Sequence, residues 1–194
     1  MPQELTQATS ISYNGYIYEI GGVDNGTIES TVYYAPLDSN GSVGTWTSTT
    51  ALPQTLQSPT SVIDNGYIYT MGGYNGTTEQ STVYYAPINS NGSIGSWNTS
   101  PISLPQALWV ATSSVYNGYV YEMTGLNSSG VNQSAVYYTQ LLNGSSLIQQ
   151  GSLTLNTGTT ITGQHLYFVL LFHRYSHYIL QMLLILMFVA KQYY

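Results

Sequence analysis

The sequence predicts an all-β chain built from repeated four-stranded antiparallel units, and three observations carry that prediction. The stretch NGYIYEIGG at 14 to 22 returns as NGYIYTMGG at 65 to 73 and as NGYVYEMTG at 117 to 125. A repeat of about fifty residues is the mark of a solenoid, propeller or array. Each copy places an Asn-Gly pair between apolar runs, which is the strongest short hairpin signal, because both turn positions need a positive φ. Tyr occurs 20 times while charged residues make up only 5%, and Tyr suits strands because its ring packs while its hydroxyl reaches a polar partner.

The elements follow in order within the first unit. ATSISY (8 to 13) is a strand, Asn14-Gly15 the turn, and YIYEI (16 to 20) the returning strand. Gly21-Gly22 then ends the strand where the backbone must turn or pack closely. STVYYAP (30 to 36) is the third strand, stopped by Pro36. SNGS makes a second turn, VGTWTST the fourth strand, and ALPQ leads into the next unit. In YIYEI, Tyr16, Tyr18 and Ile20 share one face and Ile17 lies on the other. Both faces are therefore apolar, and each sheet needs cover on both sides.

A Gly-Gly after an apolar strand, a Tyr strand, a Trp and a Pro-containing link together resemble the kelch motif of β-propellers. Gly21-Gly22, Tyr34 and Trp46 carry the likeness in the first unit, and Gly72-Gly73, Tyr85 and Trp97 in the second. The third is partial: Thr124-Gly125 replaces the glycine pair, Tyr138 stands, and Gln149 or Gln150 falls where Trp is expected. Two departures are the longer gap between Tyr and Trp and the missing Arg after the linker proline. The resemblance implies three kelch-like blades of an incomplete β-propeller, at 1–51, 52–103 and 104–154, the last degenerate. A non-repeating apolar tail, helical in one reading, occupies 155–194.

Propellers close with four to eight blades, so three blades imply either a fragment of a longer protein or a chain that self-associates through open blade faces. Three readings of the tail stand open: membrane association through 166–190, a buried or interfacial helix, or a slipped coding frame. Against a membrane span, the longest run free of charge and His, Tyr178 to Ala190, falls well short of about twenty residues. The slipped frame would make the chain a truncated product without independent function.

Charge excludes several functions. All eight acids lie in the first 122 residues, and residues 1 to 164 contain no Lys, Arg, His or Cys. Nucleic acid is not an expected partner without cations to neutralise phosphates. No thiolate metal site or disulfide is available, Ser-His-Asp chemistry lacks its base, and no metal or cofactor is expected. A carboxylate pair for glycoside hydrolysis remains formally open. However, Glu19 and Glu122 occupy equivalent places in separate units, with Thr70 between them in sequence, and they read as solvated or edge carboxylates.

The expected role is therefore non-catalytic recognition of a protein or glycan, with an extracellular or cell-surface location favoured by the Ser/Thr/Asn/Gly/Tyr-rich, Lys-free surface. The alternative is a fragment of a glycan-active propeller enzyme whose catalytic blades lie elsewhere. The Asn-Gly hairpins hardly vary among the units, whereas the loops joining the second and third strands and the linkers do. These two sets share one rim, and variable loops on a rigid scaffold suit binding. The expected contact residues are Asp24, Asn25, Tyr74, Asn75, Glu79 and Trp109. A competing reading packs Trp109 between blades.

Overall fold

The computed structural model describes residues 1–142 and 146–154, with side chains through 141. All belong to one compact unit, Met1–Leu155. The readings of the tail fall outside the described residues.

Every element in the described residues is a strand. The first sheet holds β2 (Thr9–Tyr13), β3 (Tyr16–Ile20), β6 (Val32–Pro36) and β7 (Thr47–Ser48) in that order. Before it comes β1 (Leu5–Thr6), and between β3 and β6 lie β4 (Val23–Asp24) and β5 (Thr27–Ile28). The second sheet runs β8 (Thr60–Asp64), β9 (Tyr67–Met71), β10 (Val83–Pro87) and β11 (Asn98–Thr99). The third runs β12 (Thr112–Tyr116), β13 (Tyr119–Met123), β14 (Ala135–Leu142) and β15 (Ser146–Thr154). All pairings within these sheets are antiparallel.

The register repeats from blade to blade. Asn14, Asn65 and Asn117 have φ of 47°, 47° and 52°, and the glycine after each is also positive. This is the primed-turn geometry that the Asn-Gly pairs imply. Tyr34, Tyr85 and Tyr138 face Thr47, Asn98 and Gly151 on their fourth strands. Gln150, one residue before Gly151, thus holds the place of Trp46 and Trp97.

The fourth strand departs from expectation in the first two blades, where only two residues pair. The cause is local. Pro36 and Pro87 accept at their carbonyls from Gly44 and Gly95 at 2.8 Å, and bridges Leu37↔Val43 and Ile88↔Ile94 close the turn early. The chain arches before it rejoins the sheet.

Both faces of the middle sheet are buried, each against a neighbour. Ile63, Ile68, Tyr84 and Ala86 pack with Tyr18, Ile20 and Val32 of the first sheet. Val62, Tyr69, Met71 and Val83 pack with Val120 and Leu141 of the third. The first strands form the inner edge, with β2 beside β8 and β8 beside β12. The abundance of Tyr has a repeated structural use. Tyr34 stacks on Tyr18 and tilts against Tyr16, and the same trio recurs as Tyr85 with Tyr69 and Tyr67, and as Tyr138 with Tyr121 and Tyr119.

Tyr18 also joins two blades. It is fully buried, and its hydroxyl donates to the Gly92 carbonyl in the second blade's turn at 2.9 Å. Burial, with the neighbouring Tyr16, Tyr34 and Tyr13, pushes the phenol up to about 12. Tyr18→Phe leaves that carbonyl without its donor and is expected to cost about 1–2 kcal/mol, read as a lower urea midpoint with an unchanged slope.

Candidate functional site

Each blade builds a small ladder on the rim where its linker enters. In the first, β4 pairs with both β1 and β5, with Thr6 opposite Val23 and Val23 opposite Ile28. In the second, single bridges join Gln57 to Tyr74 and Tyr74 to Glu79. In the third they join Trp109 to Leu126 and Leu126 to Asn132. The pattern of bridges is common to all three, with one more residue in the third loop, and the side chains differ. Thr6, Val23 and Ile28 give way to Gln57, Tyr74 and Glu79, and then to Trp109, Leu126 and Asn132. After each linker position comes a residue at positive φ: Gln7 at 55°, Ser58 at 49° and Val110 at 53°. Val110 is β-branched and 52% exposed, so its backbone is strained.

The rim is stitched together across blades. Ser58 donates its backbone N–H to the Gln7 carbonyl at 2.8 Å, and Val110 to the Ser58 carbonyl at 3.3 Å. The Gln57 side-chain amide donates to Gln7 Oε1 at 2.7 Å. The glycine pairs make this approach possible. Gly22 and Gly73 donate to the carbonyls of Leu56 and Leu108, both at 2.8 Å. A Cβ on Gly21 or Gly72 would lie 2.5 or 2.6 Å from those same oxygens.

Comparison with known proteins supports a kelch-repeat relationship. The kelch motif model matches residues 57–85, which run from the second linker through β8, β9, Gly72-Gly73 and Tyr85. The second repeat carries a kelch motif. Over 77 residues the chain is 35% identical to the Kelch domain-containing protein SSO1033 of Saccharolobus solfataricus, covering 40% of this chain and 9% of that protein. A solved structure, titled Structure of YjhT, superposes with a TM-score of 0.60 over 77% of this chain and 45% of that one, at 12% identity. That likeness is one of fold. The chain spans less than half the length of either.

Four of the six expected contact residues come together on the second and third ladders. Tyr74 and Glu79 are bridged, and the Tyr74 ring lies 6.0 Å from that of Trp109, tilted at 46°. Asn75 is beside them, but its side chain is committed to its own turn: Oδ1 accepts from the backbone N–H of Thr77 and Thr78, both at 2.9 Å. Asp24 and Asn25 lie in the first ladder's turn, at the places of Asn75 and Gly76, where the Asn25 amide donates to Asp24 Oδ1 at 3.0 Å. Asn25 is exposed and Asp24 half-buried. The first and second ladders adjoin, since a Cβ on Gly76 would lie 3.4 Å from Ile28 Cδ1.

Trp109 is half-buried and serves as an inter-blade contact. Its indole Nε1 is buried without a hydrogen-bond partner, and its ring rests on Tyr74 of the preceding blade. Trp109→Ala is expected to lower stability by about 2 kcal/mol, below the range for a fully buried Trp. Calorimetry of the variant would read it as a lower Tm.

Glu122 corrects the sequence reading. It is neither solvated nor at an edge: it is 2% exposed, because the second kelch blade covers it. Thr60 of that blade donates to Glu122 Oε2 at 2.8 Å. Burial pushes the carboxyl up to about 8, with the Thr60 hydrogen bond opposing. Glu19, at the equivalent place in the first blade, is half-buried and raised by burial. Thr70, in the second, is fully buried and shares a 2.9 Å hydrogen bond with Ser61. No local signal in the sequence separates these three environments.

Proposed function

We propose that this chain is a non-catalytic recognition module that holds a protein or glycan on its linker rim. One observation carries the reading: three ladders share a bridging pattern and differ in the side chains they present. A rigid repeated frame with variable rim positions is how solenoid and propeller scaffolds build binding surfaces. The second and third ladders supply an aromatic pair, a carboxylate and neighbouring amides. This mix suits stacking on an apolar face together with hydrogen bonding to hydroxyl or amide groups. The opposite rim, built from the Asn-Gly and SNGS turns, nearly repeats itself and serves the fold.

The test is retention of the purified chain on an array of immobilised polysaccharides and peptides. Wild type is expected to hold at least one member, and Tyr74→Ala combined with Glu79→Ala to weaken that binding about tenfold with an unchanged circular dichroism spectrum. Asp38→Ala, on the opposite rim, should leave it intact. Retention of nothing, or equal loss from Asp38→Ala, would overturn the proposal.

A further inference from the structure

The joint between the second and third blades contains something the first joint lacks. At the place where the second blade carries Thr70, the third carries the Glu122 carboxyl, facing β8. One oxygen takes the Thr60 hydroxyl, while the other, Oε1, is buried with no hydrogen-bond partner. Beside it runs a narrow slot under the linker, walled by Met71, Val83, Ile102, Leu104 and Val120 together with Tyr69. The slot leaves about 20 Å³ for the centre of a water molecule, which is room for about one.

The groups that face this carboxyl are all uncharged. They are Thr60 from β8, Ser113 opposite on β12, and Tyr137 opposite on β14, with Tyr69, Tyr138 and Thr139 also lining the slot. Ser113 donates its hydroxyl to the Ser61 carbonyl at 3.3 Å, and Tyr137 donates to Gln106 Oε1 at 3.1 Å. Among the described residues no base exists to pair with Glu122, and no other carboxylate lines the slot. A neutral carboxyl fits this site. An ionised one would be a buried charge whose second oxygen has no protein donor, which is a costly arrangement in a protein interior.

We propose that Glu122 is a proton-controlled latch between the second and third kelch blades. Protonated, it is held by Thr60 and the joint stays shut. Ionised, it draws water into the slot and the third blade loosens from the second. The first joint, with Thr70 at the same place, is untouched.

The direction follows from linkage. The folded chain keeps a proton up to about pH 8 that the unfolded chain releases near the carboxyl's ordinary 4.5. The latch's contribution is therefore full below about 4.5 and falls away as pH rises through about 8. Loosening here would also part Tyr74 from Trp109, a consequence that rests on the binding reading above.

The experiment is amide hydrogen exchange followed by mass spectrometry from pH 6 to 9.5, corrected for intrinsic exchange, and it needs no ligand. Protection of β12 and β13 is expected to fall at least tenfold with a midpoint near 8, while β2 and β3 hold theirs. Glu122→Gln should abolish the pH dependence, and Glu122→Met does the same work should the amide fail to fold. A carbon-13 titration of the wild-type carboxyl supplies an independent reading. A midpoint below 5, an equal fall in the variants, or an equal fall in the first blade would overturn the latch.

Discussion

Gly72→Ala is expected to destabilise the chain by about 3 kcal/mol or more, because two separate costs meet at one atom. The residue sits at φ +64°, where an L side chain costs about 1–2 kcal/mol. The new methyl would also stand 2.6 Å from the Leu108 carbonyl oxygen. That oxygen belongs to backbone and already accepts from Gly73, so relief requires the third blade's linker to move. Gly15→Ala separates the terms: at φ +79° it meets nothing within 4 Å, and only the conformational cost remains. Urea unfolding of the two variants side by side should place Gly72→Ala well below Gly15→Ala. Equal midpoints would mean that the glycine pair is a turn device and not a spacing device.

Leu56→Ala is the second large effect, expected at about 2–5 kcal/mol. The side chain is fully buried within the first joint. Its backbone is bound on both sides as well, with the amide donating to the Glu29 carbonyl at 3.0 Å and the carbonyl accepting from Gly22. The surroundings therefore cannot collapse into the space the side chain leaves. The cavity lies between two blades, so its cost should appear as lost cooperativity as well as a lower midpoint, in keeping with nearest-neighbour coupling of repeats. Thermal unfolding by calorimetry reads both.

What the sequence made legible was whatever is local and repeated. Asn14-Gly15 announces its hairpin through two φ values that few other residue pairs accept, and Gly21-Gly22 announces a close approach through the absence of Cβ. The alternation in YIYEI assigns Tyr18 and Ile20 to one face, and that face is buried. What escaped depends on partners far away in the chain. Glu122 looks like Glu19 in its nine-residue context, and only Thr60, on a different sheet, makes it an interior group. The fourth strand looked longer than it is because Val43 and Trp46 are good strand residues, while the bonds of Gly44 to Pro36 bend the chain away. The rim ladders were invisible because one or two bridged residues leave no periodicity to read. Tyr74 and Trp109 were nominated for variation between copies, and their ring contact shows that one of them also holds blades together. Asn75 was nominated on the same ground, yet its carbonyl oxygen is spent on Thr77 and Thr78.

Thr124 stands where the first two blades have Gly21 and Gly72, and it keeps their dihedral, φ 63°. The glycines leave a gap that the next linker's oxygen fills, and a threonine closes that gap with its own Cβ. Another copy stacked end to end on the third blade at the same pitch would drive its Leu5 oxygen into that carbon. A linker docking after the third blade would therefore need a wider berth than the one Gly21 and Gly72 leave for Leu56 and Leu108.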